Sequence, residues 1–180
     1  MNTWRNLPGK IWVTVVSLEP RLRSRSRHAA RMLSPHEGQL FLAMSRYDLA
    51  HSMAVAARLK DEPLLHRAGL LHDAGKLRSE ASIFTRWLYT AMELLVPKRL
   101  QHACEKVEER ARGEEIMERV RSLPRGWRRG IYVQLHHGEI AAQVLAGLGS
   151  DGELIRLVGS HQHEPCDELE RRLREIDDSL

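Results

Sequence analysis

The chain has 180 residues, of which 42% are hydrophobic and 29% are charged, with a net charge of +4. This composition excludes a disordered or fibrous chain, and no run approaches the roughly 18 apolar residues that span a bilayer. Two cysteines in no CxxC pairing fit a reducing compartment. Arginines follow the N-terminal apolar run where a signal peptide has its cleavage site, so we expect a cytoplasmic protein.

The positive charge is concentrated near the N-terminus. Residues 1–36 carry seven lysines and arginines against Glu19 alone. We therefore divide the chain into a basic N-terminal arm, residues 1–33, and a helical domain, residues 34–180. The arginines of residues 21–31 either contact phosphates of nucleic acid, lipid or nucleotide, or are solvated. No aromatic residues alternate with them, which disfavours nucleic acid.

Helix signals follow one another from residue 34 onward. Ser34-Pro35-His36-Glu37 has the pattern of a capping box, and Ser45-Arg46-Tyr47-Asp48 repeats it. We expect one helix from residue 35, one over 46–60, and a third that starts near Pro63 and carries LLHRAGLLHDAGK. Further helices are predicted at about residues 80–96, 98–112, 128–148, 152–162 and 166–179. Only Trp12 to Val16 suggests a strand, so the prediction is an all-α, single-domain helical bundle.

The segment Ile83 to Leu100 is unusually apolar for one helix. Phe84, Trp87, Leu88, Ala91, Leu94 and Leu95 are available for burial. Packing against the core is the favoured interpretation, because an amphipathic helix usually faces the core. The alternative is a lid or a partner surface, including one that faces a membrane.

Six side chains of metal-ligand type fall on the apolar faces of five predicted helices. They are His51, His72, Asp73, His137, His161 and Asp177. Each shares a helical face with apolar residues three or four positions away, so all six should point inward. Burying ionised carboxylates is costly unless they are paired or bind a cation, and only Lys76 is well placed to pair. We therefore predict a divalent metal; imidazole and carboxylate ligands without thiolate favour Mn, Fe, Co, Ni or Zn over Ca.

These residues also resemble a known family. His51 in DLAHSMAVA, His72-Asp73 in LLHDAGK and a distal aspartate in the last helix are similar to the HD superfamily of metal-dependent phosphohydrolases. HHGEIAAQVL and VGSHQHEP resemble the additional histidine positions of the HDIG and HD-GYP branches, where a second metal binds. The resemblance covers about residues 46–178. It does not decide whether the distal aspartate is Asp177, Asp178 or Asp167. It also does not decide whether the first additional histidine is His137 or His136.

The resemblance implies an HD-type bundle that hydrolyses a phosphoester or phosphoanhydride, with a nucleotide as the expected substrate. His51, His72, Asp73 and Asp177 would hold one metal ion, and Lys76 would pair with the phosphate. His137 and His161 would hold a second metal ion that Asp73 bridges. With a single metal ion they would instead contact the phosphate and protonate the leaving group. On this assignment Asp73 and Lys76 are the catalytic residues, and the arginines of residues 21–31 are dispensable for hydrolysis.

Departures from the family pattern narrow the activity. Gln162 stands where a second histidine is usual, and no Gly-Tyr-Pro follows His161, which disfavours hydrolysis of cyclic di-GMP. Ala74-Gly75-Lys76-Leu77 replaces the acidic pair of guanosine tetraphosphate hydrolases. Diadenosine tetraphosphate hydrolases of HD type and stand-alone HDIG proteins share the order of ligands seen here. Two alternatives are a catalytically silent HD fold that binds metal or nucleotide, and an adaptor that binds nucleic acid or a membrane.

Overall fold

The described part of the chain is mainly helical. A computed structural model of the protein describes residue 4, residues 6–76 and residues 83–180. These residues form eleven α-helices, one 3₁₀ turn at Ala30–Met32 and no strand. The helices are α1 (Leu7–Ser17), α2 (Leu22–Ala29), α3 (Pro35–Leu42), α4 (Arg46–Arg58), α5 (Pro63–Leu71), α6 (Ile83–Leu95), α7 (Pro97–Glu108), α8 (Ile116–Ser122), α9 (Trp127–Gly147), α10 (Gly152–Ser160) and α11 (Glu168–Asp178). The all-α prediction is confirmed. Within the same residues, no helix has the length and apolarity needed to cross a bilayer.

Two predicted helix starts are confirmed at their capping residues. The Ser34 hydroxyl accepts a hydrogen bond from the Glu37 amide at 3.3 Å, and the Glu37 carboxylate accepts one from the Ser34 amide at 3.0 Å. The Ser45 hydroxyl accepts a hydrogen bond from the Asp48 amide at 3.2 Å. These bonds satisfy amides that have no partner inside the helix, so α3 and α4 begin where the sequence indicates.

Other local predictions are wrong. Trp12 to Val16 lies inside α1 and is not a strand, because packing against α4 overrides the β-propensity of its valines. Helices α1, α2 and α8 were not predicted at all. Helix α5 ends at Leu71, whereas the pattern extends it to Lys76. The chain instead tightens into turns, with the Ala74 amide bonded to the Leu71 carbonyl at 2.9 Å.

Residues of the predicted basic arm pack against the rest of the chain. Val13 of α1 and Leu22 of α2 are fully buried and form a small apolar cluster with Ala50 of α4. The Arg46 side chain donates hydrogen bonds to the carbonyls of Ser17 and Glu19, at 2.7 and 2.6 Å. The division at residue 33 stays a prediction about domain organisation, but α1 and α2 belong to the packed structure.

The apolar segment Ile83 to Leu100 forms α6 and the start of α7. The predicted start at residue 80 and the Phe84 side chain lie outside the described part of the molecule. Leu88, Ala91 and Leu95 are exposed, contrary to the expectation of burial, whereas Thr90 is buried. One face of α6 therefore packs inward and the opposite face carries the exposed apolar residues.

Two apolar clusters form the core and meet along α9. The larger cluster joins α3, α4, α5, α10 and α11 to the C-terminal half of α9. The smaller cluster joins α7 and α8 to the N-terminal half of α9. Ile140 and Ala141, which are adjacent in α9, belong to different clusters. This arrangement brings α4, α5, α9, α10 and α11 together at one place.

A buried carboxylate ties three parts of the bundle together. Glu37 of α3 is 1% exposed and accepts hydrogen bonds from Arg67 of α5 at 3.0 Å and from the Ser150 hydroxyl at 2.8 Å. Burial raises the pKa of Glu37, but the bonds from Ser34, Ser150 and Arg67 outweigh it and lower the pKa below the usual 4.5. The ionised form of Glu37 therefore stabilises the folded protein.

We expect Glu37→Gln to lower the free energy of unfolding by about 2 kcal/mol at neutral pH, because charged hydrogen bonds are replaced by neutral ones. The depressed pKa sets the sign of the pH dependence. The loss is fully present above pH 4.5, the ordinary pKa of the unfolded glutamate, and shrinks as the pH falls through the lower folded value. Urea unfolding at several pH values measures it. The exposed Glu109→Gln is the control, and an equal effect there would contradict the assignment.

Candidate metal centre

The six side chains predicted to point inward converge on one centre. His51 comes from α4, His72 and Asp73 from the turn after α5, His137 from α9, His161 from the end of α10, and Asp177 from α11. The first five are buried, and the Asp177 side chain is 26% exposed. The inward orientation predicted from helical periodicity is therefore confirmed for all of them.

The ligand atoms form two adjacent groups. In one group, Asp177 Oδ1 lies 2.7 Å from His51 Nε2 and 3.3 Å from His72 Nε2. In the other group, Asp73 Oδ1 lies 3.2 Å from His137 Nε2. The prediction placed Asp73 with His51, His72 and Asp177 and also let it bridge to His137 and His161; the structure groups it with those two histidines. Asp73 nevertheless faces both groups, because its Oδ2 is 3.9 Å from His51 Nε2.

Backbone hydrogen bonds orient three of the imidazole rings. The Nδ1 atoms of His72, His137 and His161 lie 3.0, 2.9 and 2.7 Å from the carbonyl oxygen three residues earlier in the chain. A carbonyl can only accept a hydrogen bond, so each Nδ1 carries the hydrogen. In the neutral ring, Nε2 then presents a lone pair to the centre. This is the tautomer and orientation in which histidine binds metals.

The centre is rich in acceptor atoms that have no donor. His137 Nε2 and His161 Nε2 face each other at 3.1 Å, although both rings carry their hydrogen on Nδ1. The buried His72 Nε2 and both carboxylate oxygens of Asp73 have no hydrogen-bond partner with acceptable geometry among the described residues. Lys76 Nζ, 2.5 Å from Asp73 Oδ1, compensates part of this charge, and the imidazole lone pairs that face one another are suited to a metal cation. Nitrogen and oxygen donors without sulfur fit Mn, Fe, Co, Ni or Zn.

The pKa values of the histidines in the centre are shifted by burial and by the neighbouring charges. Burial lowers the pKa of His72, but the Asp73 and Asp177 charges outweigh it and raise that pKa to about 9. Burial, aided by the nearby Lys76, lowers the pKa of His137 to about 4. Burial, aided by His137 and His72, lowers the pKa of His161 to about 3. At neutral pH His137 and His161 are therefore neutral, and on His72 a proton and a metal ion compete for one lone pair.

Of the two adjacent histidines in α9, His137 enters the centre. His136 lies on the outer side, where Nε2 contacts Glu108 and Nδ1 lies 3.5 Å from Glu139. The sequence left the choice between His136 and His137 open. The directions of the two side chains decide it in favour of His137.

Helix α9 is kinked at His136. His136 has φ of −116° and ψ of 16°, outside the helical range. Gln162 supports the bend: its side chain accepts a hydrogen bond from the Gly138 amide at 2.9 Å and donates one to the Gln134 carbonyl at 3.3 Å. Gln162 therefore has a structural role here, which sequence reasoning did not assign to it.

Among the candidate aspartates, Asp177 alone reaches the centre. Asp167 caps α11 and accepts a hydrogen bond from the Glu170 amide at 2.9 Å. Asp178 is exposed, and a carboxylate oxygen lies 3.7 Å from Arg174. Burial raises the pKa of Asp177, but the His72 charge and the hydrogen bond with His51 hold that pKa well below its usual value.

Close packing at Gly75 holds the His72-Asp73 turn against α9. A Cβ atom at residue 75 would lie 1.9 Å from the His137 carbonyl oxygen and 2.7 Å from the Ala141 nitrogen. No side chain fits in that space. The contact therefore sets how closely Asp73 approaches His137.

An open cleft of about 240 Å³ leads to the centre. Lys76 lies at its base, with Nζ 2.5 Å from Asp73 Oδ1. Sequence reasoning missed several other side chains that line the cleft, which are Lys10, Tyr47, Arg86, Trp87, Tyr89 and Arg174. Lys10 comes from α1, outside the segment of about residues 46–178 that the family resemblance covers. The sequence feature that could have identified Lys10 is that it is the single charged residue in the otherwise apolar run of α1.

Comparisons with known proteins give no relative from which to transfer a function. No protein-family model, no curated protein and no solved structure matches this chain. The interpretation of the centre therefore rests on its own geometry.

We expect Gly75→Ala to separate the turn from α9, which would destabilise the fold by about 1–3 kcal/mol and weaken metal binding. Thermal unfolding and calorimetric metal titration measure the two effects. Gly147→Ala, at the end of α9, is the control, because a Cβ atom there meets nothing within 4 Å. Unchanged stability and metal binding in Gly75→Ala would show that the contact is not required.

Adjacent pairs of residues allow a direct test of the metal ligands. We expect the unmutated protein to bind Mn²⁺ or Zn²⁺, and His137→Ala and Asp177→Asn each to weaken binding by more than about tenfold, because each removes a ligand. His136→Ala and Asp178→Asn change the neighbouring side chains, which belong to neither group of ligands, and should bind metal as the unmutated protein does. Calorimetric titration of metal-free protein is the measurement. Equal losses within either pair would contradict the assignment of ligands.

Proposed function

We propose that this protein is a metal-dependent phosphohydrolase with an HD-type helical fold, acting on a phosphoester or phosphoanhydride of a nucleotide. One observation carries the proposal. Four histidines and two aspartates that lie far apart in the sequence converge at the base of a cleft that also contains Lys76 and Lys10. A metal-binding centre next to fixed positive charge is suited to attack on a phosphoryl group.

The two groups of ligands would each hold one divalent metal ion. His51, His72 and Asp177 would hold the first, and Asp73, His137 and His161 the second, with Asp73 facing both. A metal ion in this position lowers the pKa of a bound water and polarises a phosphoryl oxygen. The donor set supports this assignment because His137 Nε2 and His161 Nε2 face each other at 3.1 Å while both rings carry their hydrogen on Nδ1.

The low pKa values of His137 and His161 support their role as ligands. A general acid must carry a transferable proton at the pH of the reaction. Both rings are neutral at neutral pH, and each holds its one hydrogen on Nδ1, bonded to the backbone. We therefore favour two metal ions over the alternative in which these histidines protonate a leaving group.

Lys76 and Lys10 would supply the positive charge that binds the phosphate. Lys76 lies beside Asp73, at the point where the two groups of ligands meet. Lys10 lines the same cleft from α1. Burial and the nearby Lys76 charge lower the pKa of Lys10, and together they outweigh the opposite effect of the Asp177, Asp73 and Glu93 charges.

The walls of the cleft support a nucleotide as the substrate. Tyr47, Trp87 and Tyr89 offer aromatic surface for a base. Arg86 also lines the cleft; Asp48 holds it at 2.8 Å, and its guanidinium lies 5.8 Å from the centre of the Tyr47 ring. A phosphate near the lysines and a base near the aromatic residues would fill such a cleft.

A turnover assay with three variants tests the proposal. The manganese-loaded protein should release phosphate or nucleotide from at least one member of a panel of mononucleotides, dinucleoside polyphosphates and cyclic nucleotides. Asp73→Asn should lose metal and turnover together. Lys76→Ala should keep its metal while kcat falls by about 100-fold, because a charge that stabilises the transition state is removed.

Lys60→Ala is the matched control, since Lys60 is exposed at the end of α4. It should keep full metal content and turnover. A metal-loaded protein that hydrolyses no compound of the panel would contradict the enzymatic proposal and favour a catalytically silent metal- or nucleotide-binding module. In that case Lys76→Ala would bind nucleotide more weakly, with no turnover to lose.

A further inference from the structure

Helix α1 has an inner and an outer face. The inner face packs against the protein through Val13 and Ser17, which are buried, and it also directs Lys10 into the cleft. The outer face carries Ile11, Trp12 and Val15, and Leu18 follows at the end of the helix. With about 100° between successive helical residues, these four side chains fall within one sector.

This second face is exposed. Its four side chains have exposed fractions between 51% and 71%. Isolated apolar residues are common on protein surfaces, but a contiguous apolar patch that includes a tryptophan marks an interaction site. The apolar face of a helix normally packs against another element, and the outer face of α1 packs against none of the described residues.

The adjoining helix is strongly basic. Arg21, Arg25, Arg27 and Arg31 are exposed, and residues 20–36 contain no acidic residue. Glu19 pairs with Arg25 at 3.1 Å, whereas Arg21, Arg27 and Arg31 have no acidic partner among the described residues. The apolar face of α1 is thus continuous in sequence with unpaired positive charge.

We propose that the outer face of α1 and the arginines of residues 21–31 form a docking surface for an anionic lipid bilayer. Tryptophan is enriched at the membrane interface, and clustered arginines attract anionic headgroups. Helix α1 is far too short to span a bilayer and would lie along the surface with its apolar side chains among the headgroups.

Charge favours the membrane over a second copy of the chain. A symmetric dimer through this face would bring two clusters of unpaired arginines together, and their repulsion opposes association. An anionic surface instead neutralises the same charges and accepts the apolar residues. The proposal does not depend on the proposed catalytic activity.

Vesicle co-sedimentation of the full chain tests the proposal. We expect it to bind phosphatidylcholine vesicles that contain phosphatidylserine, but not vesicles of phosphatidylcholine alone, and to bind less at high salt. Trp12→Glu combined with Val15→Glu should abolish binding. Trp127→Glu is the matched control, because Trp127 is equally exposed on another helix at 53%.

A second pair of variants tests the charge. Arg27→Glu with Arg31→Glu should weaken binding by at least about tenfold. Arg110→Glu with Arg125→Glu makes the same change in net charge elsewhere and should weaken it much less. Circular dichroism verifies that all variants are folded.

Three outcomes would overturn the proposal. One is that the unmutated chain does not sediment with phosphatidylserine vesicles. Another is that binding depends on the arginines but is unaffected by Trp12→Glu with Val15→Glu. The third is a concentration-dependent dimer that Trp12→Glu abolishes, which would make this face a self-association interface.

Discussion

Burial of Asp73 is the constraint on which the rest of the centre depends. Both of its carboxylate oxygens are shielded from water and have no hydrogen bond of acceptable geometry among the described residues. Burial raises the pKa of such a group, but the charges of Lys76 and His72 and the contact with His137 hold the Asp73 pKa well below its usual value. The carboxylate is therefore ionised inside the protein, where positive charge must compensate it. The convergence of imidazole nitrogens and lysines on this residue provides that compensation.

The backbone makes the centre rigid. Each of three rings is held through Nδ1 by its own helical turn, Gly75 sets the distance between the His72-Asp73 turn and α9, and Gln162 supports the bend at His136. None of these contacts uses the atoms that face the cleft. A centre arranged in this way keeps its lone pairs and carboxylates available while the surrounding structure determines their directions.

Helix α1 connects the centre to the surface of the protein. Its inner face supplies Lys10 to the cleft and packs Val13 against α4, and its outer face carries exposed tryptophan and aliphatic side chains. The same short helix therefore takes part in both proposals, through opposite sides. A variant on the outer face leaves Lys10 in place, so the effects of the two faces on binding and on catalysis are separable.

Sequence alone determined the features that depend on neighbours within one helix. Capping at Ser34 and Ser45 and the inward faces of His51, His72, His137, His161 and Asp177 follow from spacings of three and four residues, and the structure agrees. Tertiary structure alone decided which faces meet. The exclusion of His136 and Asp178 from the groups of ligands and the entry of Lys10 into the cleft depend on packing between distant segments. A local sequence pattern predicts the direction in which a side chain points. It does not predict which distant segment packs against that side chain, because close packing over the whole fold selects that segment.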